Sequence, residues 1–144
     1  MDLQQTNVEG LLRDAKLRPT RQRVALAELL FSKGDRHLAA EDLYEEARDA
    51  GVEVSLATIY NTLHQFTENG LLRAISIDSQ KTYFDTNTSH HHHFFIEGSN
   101  NVVDMPEGYV SVDNLPEPPE GMEISRVDVV VRVRERKFRH RSMR

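Results

Sequence analysis

The most informative segment of the sequence is Ser55-Leu-Ala-Thr-Ile-Tyr-Asn-Thr-Leu-His-Gln-Phe-Thr-Glu-Asn-Gly70, which predicts a capped helix. The hydroxyl of Ser55 can accept a hydrogen bond from a free N–H group of the first helical turn. Gly70 can adopt the left-handed conformation that ends a helix. Between these caps, apolar residues recur at helical spacing and predict one buried face: Leu56, Ile59, Leu63 and Phe66.

The opposite face of this helix carries polar side chains with little charge: Thr58, Asn61, Gln65 and Glu68. Hydroxyl and amide groups both donate and accept hydrogen bonds, which suits the reading of base edges in the major groove of DNA. The alternative is an ordinary amphipathic helix whose polar face only meets solvent. The helix by itself leaves both interpretations open, so its surroundings have to be considered.

Length and composition indicate one ordinary soluble domain or two very small ones. The chain has 144 residues, of which 38% are hydrophobic and 28% are charged. No apolar run reaches the length of a membrane span, and the first residues lack the pattern of a signal peptide, so we expect a cytoplasmic protein without a membrane partner. The sequence contains no cysteine, which excludes disulfides, a cysteine-type structural zinc site and thiol catalysis.

The distribution of charge is more informative than the net charge of −5. One basic cluster precedes the central helix and consists of Arg13, Lys16, Arg18, Arg21 and Arg23. A second closes the chain and consists of Arg132, Arg134, Arg136, Lys137, Arg139, Arg141 and Arg144. Basic clusters of this kind can neutralise phosphates whatever the base sequence.

Apolar periodicity predicts further helices over Val8–Lys16, over Arg21–Ser32, and from Ala39 or Ala40 to about Ala50. Pro19 disfavours helix at the preceding residue, and Thr20 can cap the helix that follows. After Gly70, alternation predicts strands over Leu71–Ile77 and Lys81–Asp85, joined by a turn at Asp78–Gln80. Helices followed directly by a hairpin indicate a winged helix, in which Arg73 and Lys81 would be available to phosphates.

The remainder of the chain predicts a smaller second half. We expect a DNA-binding domain over residues 1–86, a linker over 87–89, and a dimerisation and ligand-sensing domain over 90–144. Strands are predicted over Phe94–Glu97, Val102–Met105 and Ile124–Val133, with a turn at Gly98–Asn101. Three strands supply too small a core to be stable alone, so we expect this half to dimerise. The predicted fold class is α+β.

Four consecutive histidines, His90 to His93, open the second half. They could be an expression tag, a polar loop with incidental histidines, or a ligand cluster, because imidazole binds first-row metals and haem iron. In an extended stretch, His91 and His93 would face one way and His92 the other. A metal set of His37, Asp85, His92 and Asp104 would join the two halves around a cation. Alternatively, His37 caps a helix or lies at the surface, and Asp85 is only a strand-end carboxylate.

Five segments resemble the ferric uptake regulator family: Arg18-Pro-Thr-Arg-Gln-Arg23, Gly34–Tyr44, Val54–Phe66, Tyr83-Phe-Asp85 and the histidine run. The likeness extends from about Leu11 to Arg134. Within the family, the chain is most similar to the iron response regulator group of alphaproteobacteria. That likeness is carried by Thr82–Asn87, His91–Phe95, Asp113–Pro116 and Pro119–Met122.

This resemblance implies a homodimeric winged-helix transcription factor of iron and haem homeostasis, bound to a double-stranded DNA operator when iron is scarce and released by haem. It implies base contacts by Tyr60, a minor-groove contact by Arg18, and haem binding by His91, His92 and His93. Asn61 stands where the family has arginine, and asparagine suits adenine. The full predicted DNA-binding set is Arg18, Thr20, Arg21, Ser55, Thr58, Tyr60, Asn61, Arg73 and Lys81.

The chain departs from the family pattern at metal-ligand positions, and two alternative functions stay open. A family metal ligand is replaced by Phe94. A second family site would use His91 and His93, but its distal histidine falls at Val127, which leaves that site incomplete. One alternative is a repressor of the same family that Fe²⁺ or Mn²⁺ activates directly. A more distant alternative is a small metalloenzyme that uses histidine and aspartate around its metal. Since no general acid or base motif is visible, we predict no catalytic residues and a protein that is not an enzyme.

Overall fold

The computed structural model describes residues 8–78, 81–89, 91–99 and 101–137. The chain divides after Ser89 into two units. Parts of several predictions lie outside the described residues: positions 1–7 of the predicted DNA-binding domain, the turn residues Ser79 and Gln80, the first histidine of the run at position 90, position 100 of the second turn, and the basic tail from position 138 onward.

The first unit contains helices in the four segments where the sequence predicts them. They are α1 (Val8–Asp14), α2 (Arg21–Phe31), α3 (Ala40–Asp49) and α4 (Leu56–Glu68). The observed ends lie within two residues of the predicted ends. The first helix ends earlier than expected because Lys16 adopts a φ of 67°, which is outside the helical region.

The predicted caps of α2 and α4 are confirmed. The hydroxyl of Thr20 accepts a hydrogen bond from the backbone N–H of Arg23 at 3.2 Å. In the same way, the hydroxyl of Ser55 accepts from the backbone N–H of Thr58 at 3.1 Å. Gly70 follows the end of α4 with a φ of 83°, a conformation that costs little only for a residue without a Cβ atom.

The core of the first unit lies between the apolar faces of these helices. Ile59, Leu63 and Phe66 of α4 are fully buried, and the ring of Phe66 stacks on that of Phe31 with 6.4 Å between centroids. Leu56 belongs to the predicted apolar face, but it is the first residue of α4 and is 36% exposed. The buried face of this helix therefore begins at Ile59.

Three antiparallel strands complete the first unit: β1 (His37–Ala39), β2 (Arg73–Asp78) and β3 (Lys81–Asp85), in the order β1-β3-β2. The last two form the predicted hairpin, although β2 begins at Arg73 rather than Leu71. The sequence does not predict β1, since three residues are too few to show a strand period. Its pairing with β3 sets His37 directly opposite Asp85.

The second unit contains a sheet of β4 (His93–Ile96), β5 (Asn101–Asp104) and β6 (Val130–Val133), in the order β5-β4-β6. The predicted hairpin of β4 and β5 is present, with each strand one residue earlier than predicted, and β6 pairs with β4 in parallel. The prediction of one strand over Ile124–Val133 is wrong over its first six residues. Since β4 spans only His93–Ile96, it offers pairing partners only for Val130–Val133.

None of the helices in the described ranges is both long enough and apolar enough to cross a lipid bilayer.

Candidate DNA-reading surface and metal-ligand cluster

A groove of about 400 Å³ lies in the first unit between the start of α2 and the polar face of α4. Its lining consists of polar and charged residues: Arg18, Thr20, Gln22, Arg23, Thr58, Asn61, Thr62 and Gln65. The sequence predicts four of these as DNA contacts, namely Arg18, Thr20, Thr58 and Asn61. Hydroxyl, amide and guanidinium groups on one concave surface can hydrogen-bond to base edges and phosphates.

Arg23 connects the two walls of this groove. Its guanidinium donates to Oε1 of Gln65 at 3.1 Å and to the backbone carbonyl of Arg18 at 3.0 Å. These bonds hold the side chain of Gln65 against the start of α2. The sequence shows Arg23 only as one cation of a cluster, so it does not separate this positioning contact from a phosphate contact.

Tyr60 precedes Asn61 on α4 and is 37% exposed. Its hydroxyl donates a hydrogen bond to Oε2 of Glu41 on α3, with 2.7 Å between the oxygen atoms. This bond holds the pKa of the Glu41 carboxyl below its ordinary value, with a smaller contribution from the charge of Lys81. The same bond raises the pKa of Tyr60. The sequence predicts Tyr60 as a DNA contact but does not predict its hydrogen bond to Glu41. Glu41 lies 19 residues away in the chain and contacts Tyr60 only because α3 packs on α4.

Tyr60→Phe is expected to raise the pKa of Glu41 toward the ordinary value of a glutamate, because the largest stabilisation of its carboxylate is removed. In the unchanged protein this hydrogen bond stabilises the fold above the pKa of the unfolded carboxyl, and the contribution is lost as pH falls through the lower folded-state pKa. At alkaline pH it is present below the pKa of the unfolded phenol and is lost as pH rises through the raised pKa of Tyr60.

Carbon-detected NMR titration of the Glu41 carboxyl measures this change directly. The matched control is Tyr109→Phe, because Tyr109 is 81% exposed and lies in the second unit. The control should leave the titration of Glu41 unchanged. An unchanged pKa in Tyr60→Phe would contradict the assigned hydrogen bond.

The other predicted DNA contacts differ in their exposure. Arg21, Ser55 and Lys81 are exposed at the starts of α2, α4 and β3. Arg73 is only 6% exposed, and its guanidinium donates to the backbone carbonyl of Ser89 at 3.4 Å. This burial corrects the expectation that Arg73 is available to phosphates. In the register of β2 and β3, Arg73 is the pairing partner of Asp85.

Within the first unit, Nε2 of His37 lies 3.1 Å from Oδ2 of Asp85. Asp85 is fully buried, and its Oδ1 accepts a hydrogen bond from the backbone N–H of Asn87 at 2.9 Å. The structure therefore brings two of the four predicted metal ligands together as an imidazole–carboxylate pair. The short strand β1 causes this pairing, and the sequence does not predict that strand.

In the second unit, Oδ1 of Asp104 lies 3.1 Å from Nε2 of His91 and 3.4 Å from Nε2 of His93. The two imidazole rings have 4.5 Å between their centroids, and a ligand atom of each of the three residues lies within 4.8 Å of those of the others. Both histidines are buried. Two imidazoles and one carboxylate form a donor set that suits divalent first-row metals.

His92 has different neighbours from those that the predicted metal set requires. Its Nδ1 accepts a hydrogen bond from the backbone N–H of Val129 at 3.2 Å. It also lines a groove of about 290 Å³, together with His91 and Met105. The structure thus groups His91 and His93, rather than His92, with Asp104. The reason is the register of β4 and β5, which sets His93 opposite Asp104 and therefore on the same face of the sheet.

The three histidines predicted for haem consequently have two different sets of neighbours. His91 and His93 flank Asp104, whereas His92 contacts Val129. His91 also lines the groove that His92 lines, so it is common to both environments. Alternation along an extended chain explains the separation of His92 from the other two.

Helices followed by an antiparallel hairpin define the first unit as a winged helix, and the second unit carries a histidine–aspartate cluster on a small sheet. This chain belongs to the Ferric uptake regulator family, whose family model matches residues 14–131.

Two curated relatives illustrate the sequence similarity. The ferric uptake regulation protein of Vibrio parahaemolyticus serotype O3:K6 is 37% identical over 79 residues, which are 55% of this chain and 53% of that protein. The protein of the same name from Escherichia coli K12 is 35% identical over 85 residues, covering 59% of this chain and 57% of that protein. The chain therefore spans about half the length of the curated relatives it matches.

Two solved structures extend the similarity over most of the chain. The ferric uptake regulator of Pseudomonas aeruginosa with manganese has a TM-score of 0.68 at 27% identity, over 90% of this chain and 98% of that one. The Vibrio cholerae ferric uptake regulator has a TM-score of 0.68 at 25% identity, over 88% and 98%. These structures confirm the predicted α+β fold class, with a winged-helix domain followed by a small α/β domain.

Proposed function

We propose that this protein is a non-catalytic transcriptional regulator that binds specific DNA sequences and responds to a metal bound in its second unit. The observation that carries this proposal is the groove of the first unit. There, uncharged polar side chains of α4 and the exposed residue Arg18 line one concave surface. Amide and hydroxyl groups on a helix read base edges, and cations beside it fix the register on the duplex.

The charges around the groove support DNA as the partner. Arg18 and Arg21 are exposed beside α2, and Lys81 is exposed on the hairpin that follows α4. Each cation that neutralises a phosphate releases a condensed counterion and strengthens binding at low salt. Such a local cluster can bind DNA although the net charge of the chain is −5. In this proposal Asn61 reads a base, since asparagine pairs with adenine in the major groove.

The cluster of His91, His93 and Asp104 supports a metal as the effector. These side chains already converge, and the similar Pseudomonas aeruginosa structure was solved with manganese. Metal binding controls DNA binding only if the metal binds the DNA-competent conformation more tightly than the other. The metal set predicted from the sequence, with His92 in place of His91 and His93, stays a prediction that ligand variants can test.

A second form of the proposal has haem as the effector, as in the iron response regulator group that the sequence resembles. One specific observation favours it: His91, His92 and Met105 line a common groove. Imidazole nitrogen and thioether sulfur are both axial ligands of haem iron. In this form the protein binds its operator when iron is scarce, and haem releases it.

We further propose that the second unit forms a homodimer. Its exposed large apolar side chains support this: Val103, Tyr109, Val112, Leu115, Met122, Ile124 and Val131. Apolar side chains exposed in such number are typical of a surface that another subunit covers. A dimer with two winged helices would read two half-sites of a palindromic operator. The sedimentation coefficient of the free protein measures the oligomeric state.

A gel shift against operators selected from random duplexes tests the proposed function. The apo, Mn²⁺-loaded, Fe²⁺-loaded and haem-loaded forms are compared side by side. A specific complex that forms only with metal supports the divalent-metal form, and one that haem alone disrupts supports the haem form. Asn61→Ala should cost about 1–3 kcal/mol of discrimination at one operator position. Lys81→Ala should instead weaken binding to every sequence and lower the salt dependence by about one counterion.

Two results would contradict the proposal. Failure of every form to select any sequence would exclude a specific regulator. A uniform loss across all sequences for Asn61→Ala would exclude its role in base reading. Circular dichroism of each variant confirms that the fold is retained.

A further inference from the structure

The hydroxyl proton of Tyr60 forms a hydrogen bond with the carboxylate of Glu41. Only 2.7 Å separates the two oxygen atoms, and an ionised carboxylate has no proton to donate. The phenol must therefore be the donor in this bond. Its oxygen atom then retains only the capacity to accept a further hydrogen bond.

The protonation states keep the bond in this direction near neutral pH. The hydrogen bond from Tyr60 lowers the pKa of Glu41, so the carboxylate stays ionised. The same bond raises the pKa of Tyr60, so the phenol keeps its proton.

Both side chains are accessible from solvent. Tyr60 is 37% exposed, and Glu41 is exposed. Tyr60 shares the exposed face of α4 with Asn61, which lines the groove, because Ala57, Tyr60, Asn61 and His64 are all exposed at helical spacing. The pair therefore presents acceptor atoms, and a negative charge, beside the surface that is proposed to meet DNA. A carboxylate in that place repels the phosphates of every DNA sequence. Glu41 therefore does not increase the general affinity for DNA.

We propose that Glu41 and Tyr60 form an acceptor-only pair that selects a base with an exocyclic amino group, adenine or cytosine, at the operator position facing Tyr60. This assignment rests on the proposed function. In the major groove, adenine N6 and cytosine N4 donate hydrogen bonds, whereas thymine O4 and guanine O6 and N7 accept them. If thymine or guanine stood at this position, its acceptor atom would face the Tyr60 oxygen and the Glu41 carboxylate, and no hydrogen atom would lie between them. The acceptors on both sides would then lose their hydrogen bonds to water and gain none in exchange.

The test measures dissociation constants of the full-length protein for a selected operator and for all single-base variants of it. The unchanged protein should prefer adenine or cytosine at one position on the strand that faces Tyr60. Tyr60→Phe should reduce that preference by about 2- to 10-fold, the value of one net hydrogen bond. Glu41→Gln should reduce it too, because the glutamine amide can donate to the Tyr60 oxygen and release the hydroxyl proton toward DNA. Thymine or guanine at that position should then become better tolerated.

Two control variants separate the loss of base preference from general effects of removing a charge or a phenolic hydroxyl. Glu45→Gln removes one charge from an exposed position of the same helix, and Tyr109→Phe removes one hydroxyl from the second unit. Both should leave the preference at that position unchanged.

Three outcomes overturn the assignment in distinguishable ways. If the unchanged protein selects a sequence and both variants keep every base preference, the pair is only a structural contact between α3 and α4. If the preferred base at the affected position is thymine or guanine, Tyr60 acts as a donor there. If the unchanged protein selects no sequence at all, the proposed function fails and this assignment fails with it.

Discussion

Phe66→Ala should lower the free energy of unfolding by about 3–5 kcal/mol, the usual cost of removing a buried phenylalanine ring. Phe66 is fully buried in the core of the first unit and stacks on Phe31 with 6.4 Å between ring centroids. Its removal loses the transfer free energy of the ring and leaves a cavity that neighbouring side chains fill only in part. Urea denaturation followed by circular dichroism measures the change.

The control for Phe66→Ala lies on the same helix. Leu56→Ala also truncates an apolar side chain of α4, but Leu56 is 36% exposed at the first residue of the helix. We expect a loss of about 1 kcal/mol or less, as for most substitutions outside the core. Equal losses in the two variants would contradict the assigned packing of α4. The comparison bears on function because the core fixes the direction in which Thr58 and Asn61 face.

His93→Ala should weaken the binding of Mn²⁺ by more than about tenfold, because even a change in the outer shell of a metal site commonly costs that much. Nε2 of His93 lies 3.4 Å from Oδ1 of Asp104, and His91 approaches the same oxygen at 3.1 Å. In the proposed function this imidazole is a direct metal ligand, so its loss should cost at least as much as a change in the outer shell. Isothermal titration calorimetry of the apo protein with Mn²⁺ measures the affinity.

His92→Ala is the informative control, because the sequence-based metal set contains His92 and the structural cluster does not. Its Nδ1 accepts from the backbone of Val129, so we expect a small change in metal affinity. Asp104→Asn serves as a second ligand variant, since Asp104 is partly exposed and the substitution keeps its shape. If His92→Ala is the more damaging variant, the sequence-based set is the better description of the site.

The sequence alone determined the features of this protein that depend on residues close together in the chain. Ser55, Gly70 and the 3.6-residue period between them specify α4, and a hydroxyl cap or a glycine stop acts within a single turn. The polar lining at Thr58 and Asn61 follows from the same period. The hairpin after α4 also depends on residues close together in the chain, because the alternation of its strands and the turn between them are properties of consecutive residues.

Only the tertiary structure decided which distant residues meet. In an extended segment, alternate histidine side chains point to opposite sides, and the sequence shows this alternation. The register of β4 and β5, which only the structure shows, sets His93 opposite Asp104. Packing of α3 on α4 brings Glu41 to Tyr60, and the register of β2 with β3 places Arg73 opposite Asp85. The physical reason is that a local period fixes the direction of a side chain along its own element. The neighbour that it meets depends on offsets between elements, which only the packing of the whole unit determines.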